Sequence, residues 1–258
     1  MKSAPREAAA NSRSRVDMRH GSASSGILRA LPVVTIIVPV FNESATVAAV
    51  LDRLLDVPLP AEREILVVND GSTDGTRGVL DALPPDPRLR VIHADRNAGK
   101  GRAIRTGIAE ARGDVIAIQD ADLELDPVQL AALVAPIVDG QARVVYGSRF
   151  LRPTSSAPWL TVVANRVLTG VTNLLYGGRL TDMETCYKIM ATDVARSLDL
   201  ESDRFDIEPE ITAKLLRRGH VIHERPVRFE PRSRASGKKI GWRDGVRALQ
   251  VLVKYRWS

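Results

Sequence analysis

Apolar runs and helical periods alternate along the first 150 residues of this chain. VVTIIVPV, Val33 to Val40, is a β-branched run broken by Pro39 and followed by Asn42, a residue type that caps helix N-termini through its side chain. A strand is therefore predicted there, then a helix from Glu43 to Leu55. EILVVND reads as a second strand, closed by the turn NDGSTDGT from Asn69 to Thr76, because Asn, Asp and Gly supply turn conformations at little steric cost. A short helix, a third strand LRVIHAD, a helix from Gly99 to Ala111 and a fourth strand DVIAIQD follow. A helix from Pro127 to Val138 and a fifth strand ARVVYGSRF complete the series. Near-continuous apolar strands separated by helices imply a parallel sheet covered on both faces.

Beyond about Leu151 the rhythm changes. WLTVVANRVLTGVTNLLY, Trp159 to Tyr176, is helical but carries Asn165, Arg166 and Asn173, which argues against a membrane span. TDMETCYKIM, a helix DIEPEITAKLLRRG and a strand HVIHERPVRFE come next, then the basic loop PRSRASGKKIG. At the C-terminus, Trp242, Val246, Leu249, Val253 and Trp257 recur at helical spacing beside Arg243, Arg247, Gln250 and Lys254. That is an amphipathic helix, suited either to docking on the protein body or to lying on a membrane surface. The predicted organisation is a disordered basic arm over residues 1–30, a catalytic domain over 31–235 and a basic amphipathic segment over 236–258.

Charge sharpens this division. The chain of 258 residues carries a net +6, yet residues 1–30 hold +4, residues 225–258 hold +8, and the body between them holds −6. An acidic body with basic ends fits an enzyme that meets phosphates. An aromatic content of 4% leaves few stacking platforms for nucleic acid, and no nucleic-acid partner is expected. The single cysteine, Cys186, excludes an internal disulfide and suits a reducing compartment. The first thirty residues lack the apolar stretch of a signal peptide.

In parallel sheets ligands bind beyond the carboxyl ends of the strands, and the polar clusters of this chain sit there. VIAIQDADLELDP places acids at Asp120, Asp122, Glu124 and Asp126. If the strand geometry persists past Gln119, alternate side chains share a face, and Asp120, Asp122 and Glu124 would gather around a hard cation. The bland alternative is a solvated acidic turn. Asp70 in VVNDGSTDGT is either turn chemistry or an acceptor for a base or ribose. RNAGKGRAI, around Lys100, opens a helix with glycines and offers free N–H groups to a phosphate, although it matches neither a Walker A loop nor a dinucleotide fingerprint.

Taken together, the order of VPVFNES, VVNDGSTDGT, NAGKGRAI, DADLE and YGSR resembles the family 2 glycosyltransferases. The resemblance implies a GT-A fold, an α/β architecture whose mostly parallel sheet binds a nucleotide-sugar and is flanked by helices, here with the C-terminal amphipathic helix added. It also implies Mg²⁺ or Mn²⁺ as cofactor beside the Asp-x-Asp motif. NRVLTGVTNLLYGG, TDMETCYK, FDIEPEI and RSRASGKK are similar to the branch that transfers a hexose to dolichyl or polyprenyl phosphate. Carried over by position, Asp70 meets the base, Asp120 the ribose or diphosphate side, and Pro39 and Glu43 lie near the nucleotide. Asp122 and Glu124 hold the metal, although many members of that branch carry Gln in place of Glu124. Arg149, Arg166, Arg232 and Lys238 grip the donor diphosphate and the lipid phosphate.

The implied partners are GDP-mannose or UDP-glucose and a polyprenyl phosphate at the membrane surface, with a separate membrane subunit as a further candidate. The implied location is cytoplasmic and peripheral to the inner face of the membrane. A phosphate acceptor, with a second pKa of about 6, is already anionic at neutral pH and needs no base. A hydroxyl acceptor would need one, and Asp182 or Glu184 is the candidate.

Overall fold

A computed structural model describes residues 32–152, 159–231 and 242–257. The N-terminal arm, Arg232 and Lys238 lie outside the described residues. In order, the elements are β1 (Val33–Val40), α1 (Val47–Asp56), β2 (Glu62–Asn69), α2 (Thr76–Asp81), β3 (Leu89–His93), α3 (Lys100–Glu110), β4 (Val115–Ile118), a 3₁₀ turn (Pro127–Gln129), α4 (Leu130–Val138) and β5 (Val144–Ser148). Then come α5 (Trp159–Tyr176), β6 (Lys188–Ala191), α6 (Thr192–Ser197), α7 (Ile207–Arg217), β7 (His223–Pro226) and α8 (Trp242–Trp257).

The strands form one sheet in the order β3-β2-β1-β4-β6-β5-β7. β3, β2, β1 and β4 run parallel, as the apolar runs predict. β6 is antiparallel to both β4 and β5. That strand is missing from the sequence reading, and it separates β5 from β4 in the sheet. The alternation within each strand then divides the core into two layers. Val34, Ile36, Val38 and Val40 of β1 join Val115 and Ala117 of β4 in the layer that holds α1 and α4. Ile37, Ile116 and Ile118 face the opposite layer, with Ile104 of α3 and Ile207, Ile211 and Leu215 of α7.

Two helix predictions are corrected. α1 begins at Val47 rather than Glu43, and Asn42 is not its cap: Asn42 has a φ of +56°. Its backbone N–H donates to Ser72 Oγ (3.0 Å) and its Oδ1 accepts from Thr73 N–H (2.8 Å). Asn42 therefore pins the loop after β1 to the turn after β2. The segment after the acidic turn opens as a 3₁₀ turn capped by Asp126, whose Oδ1 accepts from Val128 N–H at 3.1 Å.

A third, smaller core joins α5, α7 and α8 through Leu168, Ala213, Ala248, Leu252 and Tyr255, with Met183 between them. The Tyr176 hydroxyl donates to Leu252 O at 2.6 Å. α8 is thus docked, but not by the stripe that its sequence advertises. Val246, Leu249, Val253 and Trp257 are exposed. α5 is inverted in the same sense. It buries Asn165, Thr169 and Thr172 beside Leu168, while Trp159, Leu160, Val163, Val167 and Leu174 face outward, Trp159 at 71% and Leu174 at 85% exposure. No helix among the described residues is long and apolar enough to cross a membrane.

Candidate active site

The carboxyl ends of β1, β2 and β4 open onto a cavity of about 280 Å³. Pro39, Val40, Phe41 and Glu43 line it from β1 and the loop beyond, Asp70 and Asn97 from the β2 side, and Asp120, Ala121 and Asp122 from the turn after β4. Gly99, Lys100 and Ala103 of the α3 N-terminus contribute, with Arg204 and Phe205 from the loop before α7.

Asp70 is buried, and backbone geometry explains why. Its Oδ1 accepts from Ala98 N–H (2.9 Å), and its Oδ2 from Gly99 N–H (2.7 Å) and Asn97 Nδ2 (2.9 Å). The sequence leads one to expect the free N–H groups of this glycine-rich turn to meet a phosphate. Those of Ala98 and Gly99 instead hold Asp70. The glycines serve close packing: Gly99 has a φ of +105°, and a Cβ on Gly99 or Gly101 would stand 2.4 Å from Asp203 O or 2.3 Å from Ser202 O. Arg102 N–H donates to Asp203 O at 3.1 Å. So the loop carrying Arg204 is clamped across the start of α3.

Lys100, the first residue of α3, reaches Asp120. Its Nζ lies 2.8 Å from Asp120 Oδ1 and 3.0 Å from Glu208 Oε1. Burial works against its charge, but Asp120 and Glu208 together hold the ammonium well above its ordinary pKa.

The acidic turn departs from the sequence expectation. β4 ends at Ile118, and Leu123 adopts a φ of +58°, so the two-residue alternation does not carry Asp120, Asp122 and Glu124 onto one face. Asp120 and Asp122 line the cavity, and Glu124 does not. Glu124 N–H donates to Asp122 Oδ1 at 3.2 Å. No three His, Cys, Asp or Glu side chains among the described residues are grouped as a metal cage. The turn is braced from below: Gln119 Nε2 donates to Asp120 O (3.0 Å) and Leu125 O (3.1 Å), and Tyr187 Oη lies 2.7 Å from Gln119 Oε1. Thr46 Oγ1 lies 2.8 Å from Ala121 O and 2.9 Å from Glu43 Oε2, which brings Glu43 to the same turn.

Arg149 and Arg166 fall elsewhere. Arg149, just past β5, makes a bidentate pair with the buried Asp182, Nε to Oδ2 at 2.7 Å and Nη2 to Oδ1 at 2.8 Å. Its guanidinium sits over Phe150 and Phe229. Asp182 also accepts from Arg149 N–H and from Asn165 Nδ2, both at 3.0 Å. Four donors therefore occupy the carboxylate considered as a base. Arg166 is exposed on α5. Nearby, burial pushes the Glu184 carboxyl up to about 7, against the pull of Lys188 and Arg149. Glu184 Oε1 has no hydrogen-bond partner among the described residues.

Arg204 lines the cavity from outside every motif singled out in the sequence, and Phe205 from within FDIEPEI, where it carries no assignment to this cavity. The signal available was FDIEPEI, which marks the loop's neighbourhood without showing that it crosses to α3.

The fold and this cavity define an α/β protein whose candidate site lies at the carboxyl ends of its parallel strands, and comparison with known proteins gives its family. The model of glycosyl transferase family 2 matches residues 35–198. The chain belongs to that family, and its architecture is the GT-A fold. It is 31% identical to an undecaprenyl-phosphate mannosyltransferase of Micrococcus luteus, over 86% of this chain and 92% of that protein. It is 29% identical to the glycosyltransferase AglD of Haloferax volcanii over 77% of this chain, which spans only 33% of AglD. The crystal structure of glucosyl-3-phosphoglycerate synthase from Mycobacterium tuberculosis with Mn²⁺, UDP and phosphoglyceric acid superposes with a TM-score of 0.68. It shares 18% identity and covers 87% of this chain and 78% of that one.

Proposed function

We propose that this glycosyltransferase moves a hexose, mannose or glucose, from a nucleoside-diphosphate sugar to a polyprenyl phosphate at a membrane surface. The observation that carries the lipid acceptor is the inversion of α5, which turns Leu160, Val163, Val167 and Leu174 outward while burying Asn165, Thr169 and Thr172. Scattered apolar residues are normal on a surface, but a contiguous row marks an interaction face. The exposed row on α8 adds to it. The Micrococcus luteus relative, named for undecaprenyl phosphate, supports the same reading.

The cavity suits the donor. Asp120 and Asp122 offer hard oxygen ligands to it, and Mg²⁺-type cations are ordinarily held by one or two carboxylates plus substrate phosphates rather than by an all-protein cage. The residues present therefore fit a divalent cation, with Asp122 as its principal holder and Asp120 shared with Lys100. Such a cation would supply positive charge to the departing diphosphate. The Mycobacterium tuberculosis neighbour was solved with Mn²⁺ and UDP. Lys100 and Arg204 line the same space and bring cations to the diphosphate, while Asp70 fixes the turn against which the nucleoside rests.

In the reaction a phosphate oxygen of the acceptor attacks the anomeric carbon. The bond from that carbon to the diphosphate breaks, and its electron pair leaves with the nucleoside diphosphate. An acceptor already anionic at pH 7 requires no proton transfer, so the site has to hold two anions together and stabilise the leaving group. In-line displacement inverts the centre and gives a β-linked product from an α-linked donor.

A second reading rests on Glu184, whose raised pKa of about 7 and whose Oε1, without a hydrogen-bond partner among the described residues, suit a general base for a hydroxyl acceptor. One assay separates them: purified protein with Mn²⁺ or Mg²⁺, a short polyprenyl phosphate, and labelled GDP-mannose or UDP-glucose. Metal-dependent label in the organic phase, lost in Asp122→Ala, is the expected result. Donor hydrolysis with no labelled lipid would overturn the lipid acceptor in favour of the hydroxyl.

A further inference from the structure

Four side chains of alternating charge run inward from the cavity: Asp120, Lys100, Glu208 and Lys188. Only the first two line the cavity. Behind them, Glu208 Oε2 accepts from Lys188 Nζ at 2.6 Å. Its Oε1 stands 3.0 Å from Lys100 Nζ, an ion-pair contact without hydrogen-bond alignment. Lys188 Nζ also donates to Met183 O (3.0 Å) and Thr185 O (2.5 Å). Lys188 is wholly buried and Glu208 nearly so.

Stability alone explains this arrangement poorly. Each buried ion carries a desolvation cost, and well-packed apolar replacements of buried pairs are often neutral or stabilising. What Glu208 adds is direction. A lysine ammonium on its flexible stem is a point charge that follows the nearest anion. With Asp120 as sole partner, Lys100 would close onto that carboxylate. With Glu208 behind it, the ammonium is held between two anions at the cavity wall. Lys188 in turn supplies the positive charge that keeps Glu208 ionised, and it fastens the pair to the carbonyls of residues 183 and 185.

We propose that Glu208 is a positioning residue for donor binding: acting through Lys100, it keeps an ammonium available to the diphosphate beside Asp120. The proposal rests on the donor reading given above. It assigns to α7 a role in substrate binding although Glu208 does not touch the cavity.

The test is calorimetric binding of UDP and of GDP, each with Mn²⁺, to the full chain and three variants. Glu208→Gln strands the Lys188 ammonium and lowers Tm; Lys188→Met combined with Glu208→Gln removes that charge and recovers most of the Tm. Whichever diphosphate the unaltered chain binds is expected to bind about tenfold more weakly to both variants, the size typical of lost supporting contacts. Glu208→Asp, which keeps the charge, recovers part of the affinity. Recovery of affinity together with Tm in the double variant would make Glu208 merely structural and overturn the proposal. Equal affinity in all variants would do the same while leaving the donor reading intact. If the unaltered chain binds neither diphosphate, the donor reading falls and the proposal with it.

Discussion

Arg149 and Asp182 form a bidentate ion pair 33 residues apart in sequence, with both Asp182 oxygens engaged by the guanidinium at 2.7 and 2.8 Å. Asp182 is completely buried, so the pair holds the end of β5 to the segment before β6. Asp182→Asn leaves the guanidinium in place with no counter-charge. Breaking one side of a buried pair costs about 3–5 kcal/mol, and urea unfolding should read a loss of that order. Turnover per folded molecule should persist if the pair is architectural. A chemical-step defect in fully folded Asp182→Asn would restore Asp182 as a base.

The same pair shows how much of the fold could be read from the sequence. β1, β2 and β4 were legible because both of their faces are buried, which leaves continuous apolar runs such as Ile65 to Val68. β6 was not. Its four residues begin with Lys188, whose charge hides a strand until Glu208, twenty residues on, is seen to neutralise it. Strand-end logic points to Asp70, Lys100, Asp120 and Asp122, and the structure brings these four to one cavity. The role of the glycine-rich turn is hidden in the sequence because Asp70 lies 28 and 29 residues from the N–H groups that it captures. A local motif cannot reveal which distant acceptor takes its donors. Arg149 is opaque for the same reason: a cation at a strand end looks like a phosphate ligand until its buried carboxylate partner, Asp182, is located.

The loop that carries Arg204 depends on the small size of Gly101. Alanine is favoured over glycine inside a helix by up to ~1 kcal/mol, so propensity alone predicts that Gly101→Ala stabilises α3. The new Cβ would stand 2.3 Å from Ser202 O and 2.8 Å from the Asp203 carbonyl carbon, both backbone atoms that cannot rotate away. Overpacking of this kind costs about 1–3 kcal/mol and should win. Thermal melting is expected to show a lower Tm, and the displaced Arg204 loop should weaken nucleoside diphosphate binding. A raised Tm would show that the loop yields freely.

The outward row on α5 gives a membrane prediction that folding cannot imitate. Val167 and Leu174 are 55% and 85% exposed, and changes at such positions usually alter stability by no more than about 0.5 kcal/mol. Burying an apolar side chain of this size is worth about 1.5–3 kcal/mol. Val167→Glu combined with Leu174→Glu should therefore leave Tm near its original value and reduce partitioning onto anionic phospholipid vesicles at least tenfold. Co-sedimentation measures this directly. Unchanged partitioning would remove α5 from the membrane-facing surface.

Glu184 makes stability depend on pH in an unusual direction for a carboxyl. Desolvation raises its folded pKa from 4.5 to about 7, against the opposing charges of Lys188 and Arg149. The folded state therefore holds the proton more tightly than the unfolded chain does. By linkage, stability from this group is fully present below about pH 4.5 and is lost as pH rises through about 7. Most folded carboxyls that have salt-bridge partners run the other way. Glu184→Gln keeps the shape of the protonated form and abolishes the titration. The difference in Tm between the unaltered chain and Glu184→Gln should therefore widen, to the variant's advantage, between pH 5 and pH 8. A difference that stays constant across that range would mean that Glu184 is ionised throughout. That outcome would remove the raised pKa on which Glu184 is argued as a base for a hydroxyl acceptor.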